Sequence, residues 1–373
     1  MNKQEWISSK QMAALFFAFM TGSSIINIPA PLAGAAKNGA WLSPLLANAM
    51  AMLLLACMLY LHRRYPGMTF IDYSRKIIGN WLTLLLSIPL LILVMLDLSY
   101  IVLDIGGFFA SSMMQATPPV VIHFLVLLTA ALTVRGGIEV MARLFSMLIP
   151  VMLLAVMIIL IFVLPYYHPE SLLPLFPGGI KPVVHGAYLA FGFPYAETVL
   201  FAMILPLARQ EKENPLGKWM VAALLINGIA LFLSILSSIM VLGPLAGEAK
   251  YSLFQLARLI QVQNIIERVE SIIGIALIVG SLMKTTIMLF IFTVIVSKVL
   301  KSHDEKIFVF PVTLFALLLT LTMFNHEVEF FEAVYVVWPL FITMAAVVPF
   351  MLVTLVAFFK EESLKPGDDS GKV

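Results

Sequence analysis

The sequence predicts an all-α polytopic membrane protein of about ten transmembrane helices, arranged as a 5+5 inverted repeat whose first and sixth helices are broken. Three observations lead there. Hydrophobic residues make up 61% of the 373 positions and charged residues only 12%, whereas a soluble domain is near half apolar and a quarter charged. Apolar stretches of roughly 20 residues, the length that crosses a ~30 Å hydrocarbon layer, recur between short polar joints. Proline, glycine and polar residues interrupt two of these stretches at corresponding places in the two halves.

The expected spans of the first half run roughly from 10 to 36, 40 to 62, 81 to 110, 118 to 135 and 140 to 166. Those of the second half run roughly from 183 to 206, 218 to 245, 265 to 299, 307 to 324 and 335 to 359. The predicted units are therefore 1–166 and 183–359, followed by a charged tail at 360–373 expected to be disordered. An even number of spans places both termini on one side. With that side cytoplasmic, only Lys37, Lys181, Lys250, Arg258 and Arg268 fall on external joints and Lys284 within a span, and the rest of the 23 Lys and Arg residues fall on cytoplasmic segments. Lys3, Lys212, Lys365 and Lys372 are among the latter.

Three joints are longer. Segment 65–79, YPGMTFIDYSRKIIG, sets Phe70, Ile71, Ile77 and Ile78 beside Arg75 and Lys76, a pattern for a short cytoplasmic interfacial helix. Segment 167–182 is a Pro- and Gly-rich external loop, and segment 247–264 carries SLFQLARLI, read as an external helix over the site. A net charge of +2, spread over many joints, gives no nucleic-acid surface. The single Cys57 cannot close an internal disulfide. The N-terminus shows no small-residue cleavage site after a short apolar core, so the first helix is expected to be retained.

The first interruption reads TGSSIINIPAP and holds Gly22, Ser23, Ser24, Asn27, Pro29 and Pro31. The second reads AFGFPYAET, with Gly192 and Pro194 just before Glu197. Prolines remove backbone donors, and lipid cannot satisfy the carbonyls this frees. Broken helices at mid-depth therefore line a cavity or are buried in protein, and the backbone from Gly22 to Pro29 is expected to be non-helical. Two ordinary proline kinks in a bundle are the alternative.

Ionisable residues inside spans mark sites or pathways. Asp97 and Asp104 lie on the third helix with Tyr100 between them, at spacings that share one face. Glu197 follows the second break, and Lys284 sits near the middle of the eighth helix. These groups are read either as a nutrient site with coupling charges or as a structural ion-pair network, for instance Lys284 with Asp97. Glu197 also suits the start of a half-helix on dipole grounds alone, and Asp104 suits a hydrated interface. Lys284 could stand where sodium-coupled proteins of this architecture bind their cation, or carry a proton. His123 and His185 read as interfacial, the 22 methionines as adaptable packing, and Pro244 argues against a dimer face at Gly243 and Gly247. No metal-binding, nucleotide-binding or nucleophile-elbow motif is present, so neither a cofactor nor an enzymatic reaction is expected.

The strings ISSKQ, GSSIINIP, KNGAWLS, YPGMTFIDYSRKIIG and VRGGIEVMARLFSMLIP, then ESLLPLFPGGIKPVVHGAYLAFGFPYAETVLFAMILP, run in order through most of the chain. In that order and spacing the chain resembles the spore germination permease family, the B subunits of spore nutrient receptors in the amino acid/polyamine/organocation superfamily. The resemblance implies a leucine-transporter-like fold whose unwound first and sixth helices bind a nutrient, an amino acid or a sugar. On that analogy the site takes Gly22, Ser23, Ser24 and Asn27 from helix one and Phe191, Gly192, Tyr195 and Glu197 from helix six. Tyr100, Asp97, Asp104 and Lys284 join it on the physical argument alone. The resemblance further implies a larger membrane A subunit and a lipid-anchored C subunit as partners in the inner spore membrane, with ligand binding triggering germination. The alternative is a proton-coupled amino-acid permease.

Overall fold

The computed structural model describes residues 5–209, 215–260, 269–302, 304–324 and 326–360. Arg268, Lys212, Lys3, Lys365, Lys372 and the tail 361–373 lie outside the described residues. Within them the chain is helical, and an isolated bridge at Ile7 and Ala208 is its one extended pairing.

The first span is two half-helices, α1 (Ser9–Thr21) and α2 (Pro29–Ala36), separated by a four-residue helical turn at Ser24–Asn27. Then come α3 (Ser43–Arg64), the short α4 (Phe70–Ile78), α5 (Asn80–Phe108), α6 (Pro119–Arg135) and α7 (Ile138–Phe162). The sixth span begins as α8 (Ile180–Ala190), passes a wide turn at Phe191–Tyr195 and ends as a 3-10 helix at Ala196–Met203. It is followed by α9 (Leu216–Leu242), α10 (Ser252–Leu259), α11 (Glu270–Leu300), α12 (Val309–Thr322) and α13 (Val328–Phe359). Among the described residues, by length and composition alone, seven helical stretches are long and apolar enough to cross a membrane, the first of them joining α2 to α3 through a turn at Lys37–Leu42. The shorter α6 and the two interrupted spans fall below that criterion.

Capping explains where the elements begin. The Ser8 hydroxyl accepts the Gln11 amide at 3.2 Å while the Gln11 side chain accepts the Ser8 amide at 3.0 Å, so two orphan donors of α1 are satisfied reciprocally. Thr69 and Asp72 repeat the device at α4. The Asp72 carboxylate also pairs with Lys298 at 2.8 Å, and Arg75 donates to the Lys298 carbonyl at 2.9 Å, which pins α4 to the end of α11.

Helix α11 is the axis of the bundle. It packs against α5, α6, α7 and α1, and it is buried along most of its length, Lys284 included. Helix α1 lies between α9 and α7, and α3 packs on α8 and α9. Close approach depends on missing side chains: a Cβ on Gly22 would lie 2.5 Å from the Gly280 carbonyl, and one on Gly247 would lie 2.6 Å from the Gly34 amide. Gly247, read from the sequence only for a possible dimer face, thus lets its loop meet α2 within the same chain.

Contacts fix which ends belong together. Ile7 donates to the Leu207 carbonyl at 3.0 Å and accepts from the Arg209 amide at 2.8 Å, tying the start of the first span to the end of the sixth. Arg64 donates to the Lys360 carbonyl at 2.8 Å, and Lys306 pairs with Glu5 at 3.5 Å, so Glu5 and Lys360 sit at one end of the bundle. Helix α10 packs at the opposite end, over the Ser24–Asn27 turn.

Candidate functional site

The first break has an identifiable cause. Pro29 and Pro31 offer no amides to the carbonyls of Ile25 and Asn27, one helical turn earlier. The hydroxyl of Tyr335, on α13, donates to the Asn27 carbonyl at 3.4 Å in place of the missing amide. Ser24 turns its hydroxyl back on the Met20 carbonyl at 2.5 Å, covering an acceptor at the end of α1. The segment from Gly22 to Pro29 is therefore not wholly non-helical as expected. Ser24–Asn27 keeps one turn, because Asn27 and Ile28 still reach the Ser23 and Ser24 carbonyls at 3.1 and 2.9 Å.

In the second break Phe193 leaves helical geometry altogether, at φ −144° and ψ 119°, and its peptide to Pro194 is cis. Past it, Thr198 donates to the Tyr195 carbonyl at 2.6 Å and fixes the first turn of the 3-10 segment that carries Glu197.

Between the breaks lies a cavity of about 40 Å³, room for two or three waters. Ser23 and Asn27 line it from the first span, Asp97, Tyr100, Ile101 and Asp104 from α5, Phe193 from the sixth, and Phe330, Val334, Tyr335 and Trp338 from α13. A second cavity of about 180 Å³ adjoins it toward α10 and shares Asp104 and Phe330 with it. Asp104 accepts hydrogen bonds from Asn27 at 2.5 Å and from Tyr251, at the start of α10, at 3.2 Å. One carboxylate thus ties the first break, α5 and the α10 segment together.

Beside the smaller cavity sits a charge cluster. The Lys284 ammonium pairs with Glu197 at 2.6 Å and reaches Asp97 at 3.9 Å, and neither Lys284 nor Glu197 has any exposed surface. The ammonium lies 4.2 Å from the Phe193 ring centre and 5.6 Å from that of Phe19, a favourable placement for a cation over aromatic faces. Two carboxylates share one ammonium here, which leaves one negative charge for a proton or another cation to balance.

The sequence-predicted residues divide into two groups. Ser23, Asn27, Asp97, Tyr100 and Asp104 meet at one cavity wall, whereas Glu197 and Lys284 form the pair behind it. Gly22 packs against Gly280, Gly192 against Pro339, Ser24 against its own helix, and Phe191 and Tyr195 are buried in the core, none of them on the cavity surface. Asp104 is a buried, doubly hydrogen-bonded group and not a hydrated interfacial one. His123 is likewise buried, its ring filling the space a side chain on Gly106 would take. His185 is exposed. Missed altogether were Phe330, Tyr335 and Trp338: α13 starts about two turns before the span expected at 335, which hid Phe330, while Tyr335 and Trp338 fell inside that span without being singled out. The signal available was the aromatic run FFEAVYVVW at the head of that span.

A helical bundle with paired broken helices and a small, buried, mixed polar and aromatic cavity between them is the architecture of a leucine-transporter-like membrane protein. Solved structures agree. MhsT in complex with L-phenylalanine superposes with a TM-score of 0.72 at 15% identity over 95% of this chain and 89% of that one. Mhp1, a nucleobase-cation-symport-1 family transporter, gives 0.63 at 12% identity over 92% and 75%. At these identities the likeness is one of fold.

The family model described as spore germination protein matches residues 6–328, and the chain belongs to that family. Among its relatives, spore germination protein KB of Bacillus subtilis (strain 168) is 27% identical over 350 residues, 93% of this chain and 91% of the relative. Spore germination protein YndE of the same organism is 25% identical over 247 residues, 65% of each chain.

Proposed function

We propose that this chain is the nutrient-sensing B-type subunit of a spore germinant receptor, binding a small polar nutrient in the cavity between the two broken helices and triggering germination. The observation that carries the reading is the cavity itself. Its polar groups come from the first break and from α5, its aromatic walls from the sixth span and α13, so a bound molecule touches both proposed five-helix units, 1–166 and 183–359. Any ligand with unequal affinity for two arrangements of those units shifts their populations. The proposed setting is the inner membrane of the spore with both termini on the core side, alongside a membrane A subunit and a lipoprotein C subunit.

Lys284 is proposed to supply a fixed positive charge in place of a bound sodium ion, so the response needs no sodium. No catalytic role is assigned to any residue. The decisive experiment deletes the gene and follows germination on single nutrients while purifying tagged protein from spore membranes. Loss of one nutrient response with co-purification of A- and C-type subunits is expected. Intact responses with no partner recovered overturn the proposal.

A second reading, a proton-coupled amino-acid carrier, draws on the fold it shares with transporters. Counterflow of labelled amino acid into liposomes containing this chain alone would establish it.

A further inference from the structure

The smaller cavity has an unequal set of polar groups. Its ionisable lining among the described residues is Asp97 and Asp104 with the phenols of Tyr100 and Tyr335, and no Lys, Arg or His lines it. Asp104 is occupied by Asn27 and Tyr251. Asp97 is not: its Oδ1 stands 3.9 Å from a lysine held more closely by Glu197, and its Oδ2, in a residue 4% exposed, accepts no hydrogen bond among the described residues. The hydroxyl of Ser23, 2% exposed and on the same cavity, is also without a partner among them. A buried carboxylate oxygen in this condition lacks a donor, and a charged donor suits it best.

The walls narrow the choice further. Tyr100 packs with Phe330 and Trp338 at ring-centre distances of 5.9 and 5.5 Å, and Phe193 and Tyr335 complete the enclosure. Aromatic faces attract an organic cation and accommodate an apolar body. They cannot replace the water shell of a hard inorganic ion, which needs several oxygen ligands. A ligand carboxylate seated beside the ammonium in the smaller cavity, by contrast, would add negative charge next to Asp97 and Asp104 with no cation on that lining to meet it, Lys250 lining the adjoining cavity instead.

Building on the nutrient-site reading above, we infer that this cavity reads a primary ammonium group on a small apolar body, seated against Asp97 and Ser23, and that the ligand needs no carboxylate. The ammonium head fills the volume of about 40 Å³, and the body extends past Phe330 into the adjoining cavity of about 180 Å³. Ligand binding then supplies the positive charge that Asp97 and Glu197 lack while they share Lys284.

The test is calorimetric titration of the purified full chain in lipid nanodiscs at neutral pH with five probes. These are isobutylamine, L-valine, 3-methylbutanoate, glucose and potassium chloride, the second and third being the first with a carboxylate added and with the amine exchanged for one. Isobutylamine is expected to bind at least as tightly as valine, and the other three not at all. Asp97→Asn should weaken isobutylamine about ten- to a hundredfold, the range of a hydrogen bond to a charged group. Melting profiles confirm folding, and the probe series on the unaltered chain needs no variant. Binding of 3-methylbutanoate or glucose without isobutylamine overturns the inference and leaves a nutrient site of another class. Valine bound and isobutylamine not bound overturns it likewise. Displacement of the amine by potassium marks an inorganic cation site and also overturns it. Silence from all five probes overturns this inference, and the nutrient-site reading is then decided by the germination and co-purification experiment above.

Discussion

Replacing Lys284 with methionine keeps most of the side-chain bulk and removes the charge, and the consequence can be worked from the geometry around it. The ammonium sits 2.6 Å from Glu197 and 3.9 Å from Asp97, with no exposed surface on Lys284 or Glu197. Removing it leaves two buried carboxylates facing each other without a cation. Breaking a buried pair from one side costs about 3–5 kcal/mol, roughly a fifth or more of the ~5–15 kcal/mol that holds a typical domain folded. Removing Glu197 as well relieves much of that cost, because only Asp97, the more distant of the two carboxylates, is then left without its cation. Lys284→Met should therefore lower the melting temperature and the monodisperse yield in detergent, and Lys284→Met with Glu197→Gln should recover much of both. If the double variant melts no higher than the single one, Glu197 is not the principal partner and the argument fails. If the single variant folds normally and spores carrying it still germinate, neither the structural nor the signalling role stands.

Gly280→Ala places a Cβ against the backbone of Gly22, and forcing those helices apart should cost about 1–3 kcal/mol in thermal melts; an unchanged melt would show that the contact yields freely. Tyr335→Phe removes the donor to the Asn27 carbonyl freed by Pro31, a loss of about 0.5–1.5 kcal/mol that detergent melts with and without ligand should register, and a null effect would mean that water satisfies that carbonyl. Burial raises the Asp72 carboxyl, but hydrogen bonds from Lys298 and Thr69 outweigh it and hold the group below its ordinary value of 3.8. Its contribution is therefore present above 3.8 and lost as pH falls through the lower folded value. With Lys298 two-fifths exposed, it amounts to about 0.2–1 kcal/mol, and Asp72→Asn should melt below the parent at neutral pH and together with it in strong acid.

How much of this was legible in the sequence follows from which properties are local. Proline at 29, 31 and 194 removes particular amides wherever the chain folds, so both interruptions could be placed from composition alone. The charges on α5, α11 and the sixth span could be grouped because an ionisable side chain inside a membrane must find company. Which partner each would take was not legible. Lys284 prefers Glu197 over the Asp97 suggested by the sequence, because the choice depends on the relative rotation and depth of three helices, which periodicity within one helix does not encode. The same limit hid Gly22 and Gly192, whose glycine character serves close packing on Gly280 and Pro339 and not cavity lining. Helix α13 was misjudged for another reason. A hydropathy argument begins the span where charge ends, whereas the acidic residues at its head belong to the helix and bring Phe330 over the cavity.

The two cavities bear on what a ligand must do to be sensed. Phe330 and Asp104 line both the cavity of about 40 Å³ and that of about 180 Å³, so a molecule larger than a few waters that enters the inner space bears on them. What holds them is limited: Asp104 to Asn27 and Tyr251, Tyr335 to Asn27, and the aromatic stack on Tyr100. Hydrogen bonds to a charged group contribute about 1.5–3 kcal/mol each and neutral ones about 0.5–1.5 kcal/mol, so two or three of them together approach the ~5.5 kcal/mol that separates a population of 1:99 from 99:1. At the opposite end of the bundle, Ile7 fastens the first span to the sixth through two backbone hydrogen bonds. Movement of the Asn27 turn is thus resisted at one end by side chains that a ligand can replace and at the other by backbone pairing that it cannot reach. A ligand that satisfied Asp97 alone would gain affinity without shifting the balance, since that oxygen is unpartnered before binding. One that also displaced Phe330 or competed for Asp104 would exchange ties of the closed arrangement for its own. Affinity and signalling should accordingly separate: substitutions at Asp97 should change how much ligand is needed, and substitutions at Asn27, Asp104 or Phe330 should change the size of the response at saturation. Dose–response curves of germination for Asp97→Asn and Phe330→Leu distinguish these outcomes, and a shift in midpoint alone for both variants would refute the division.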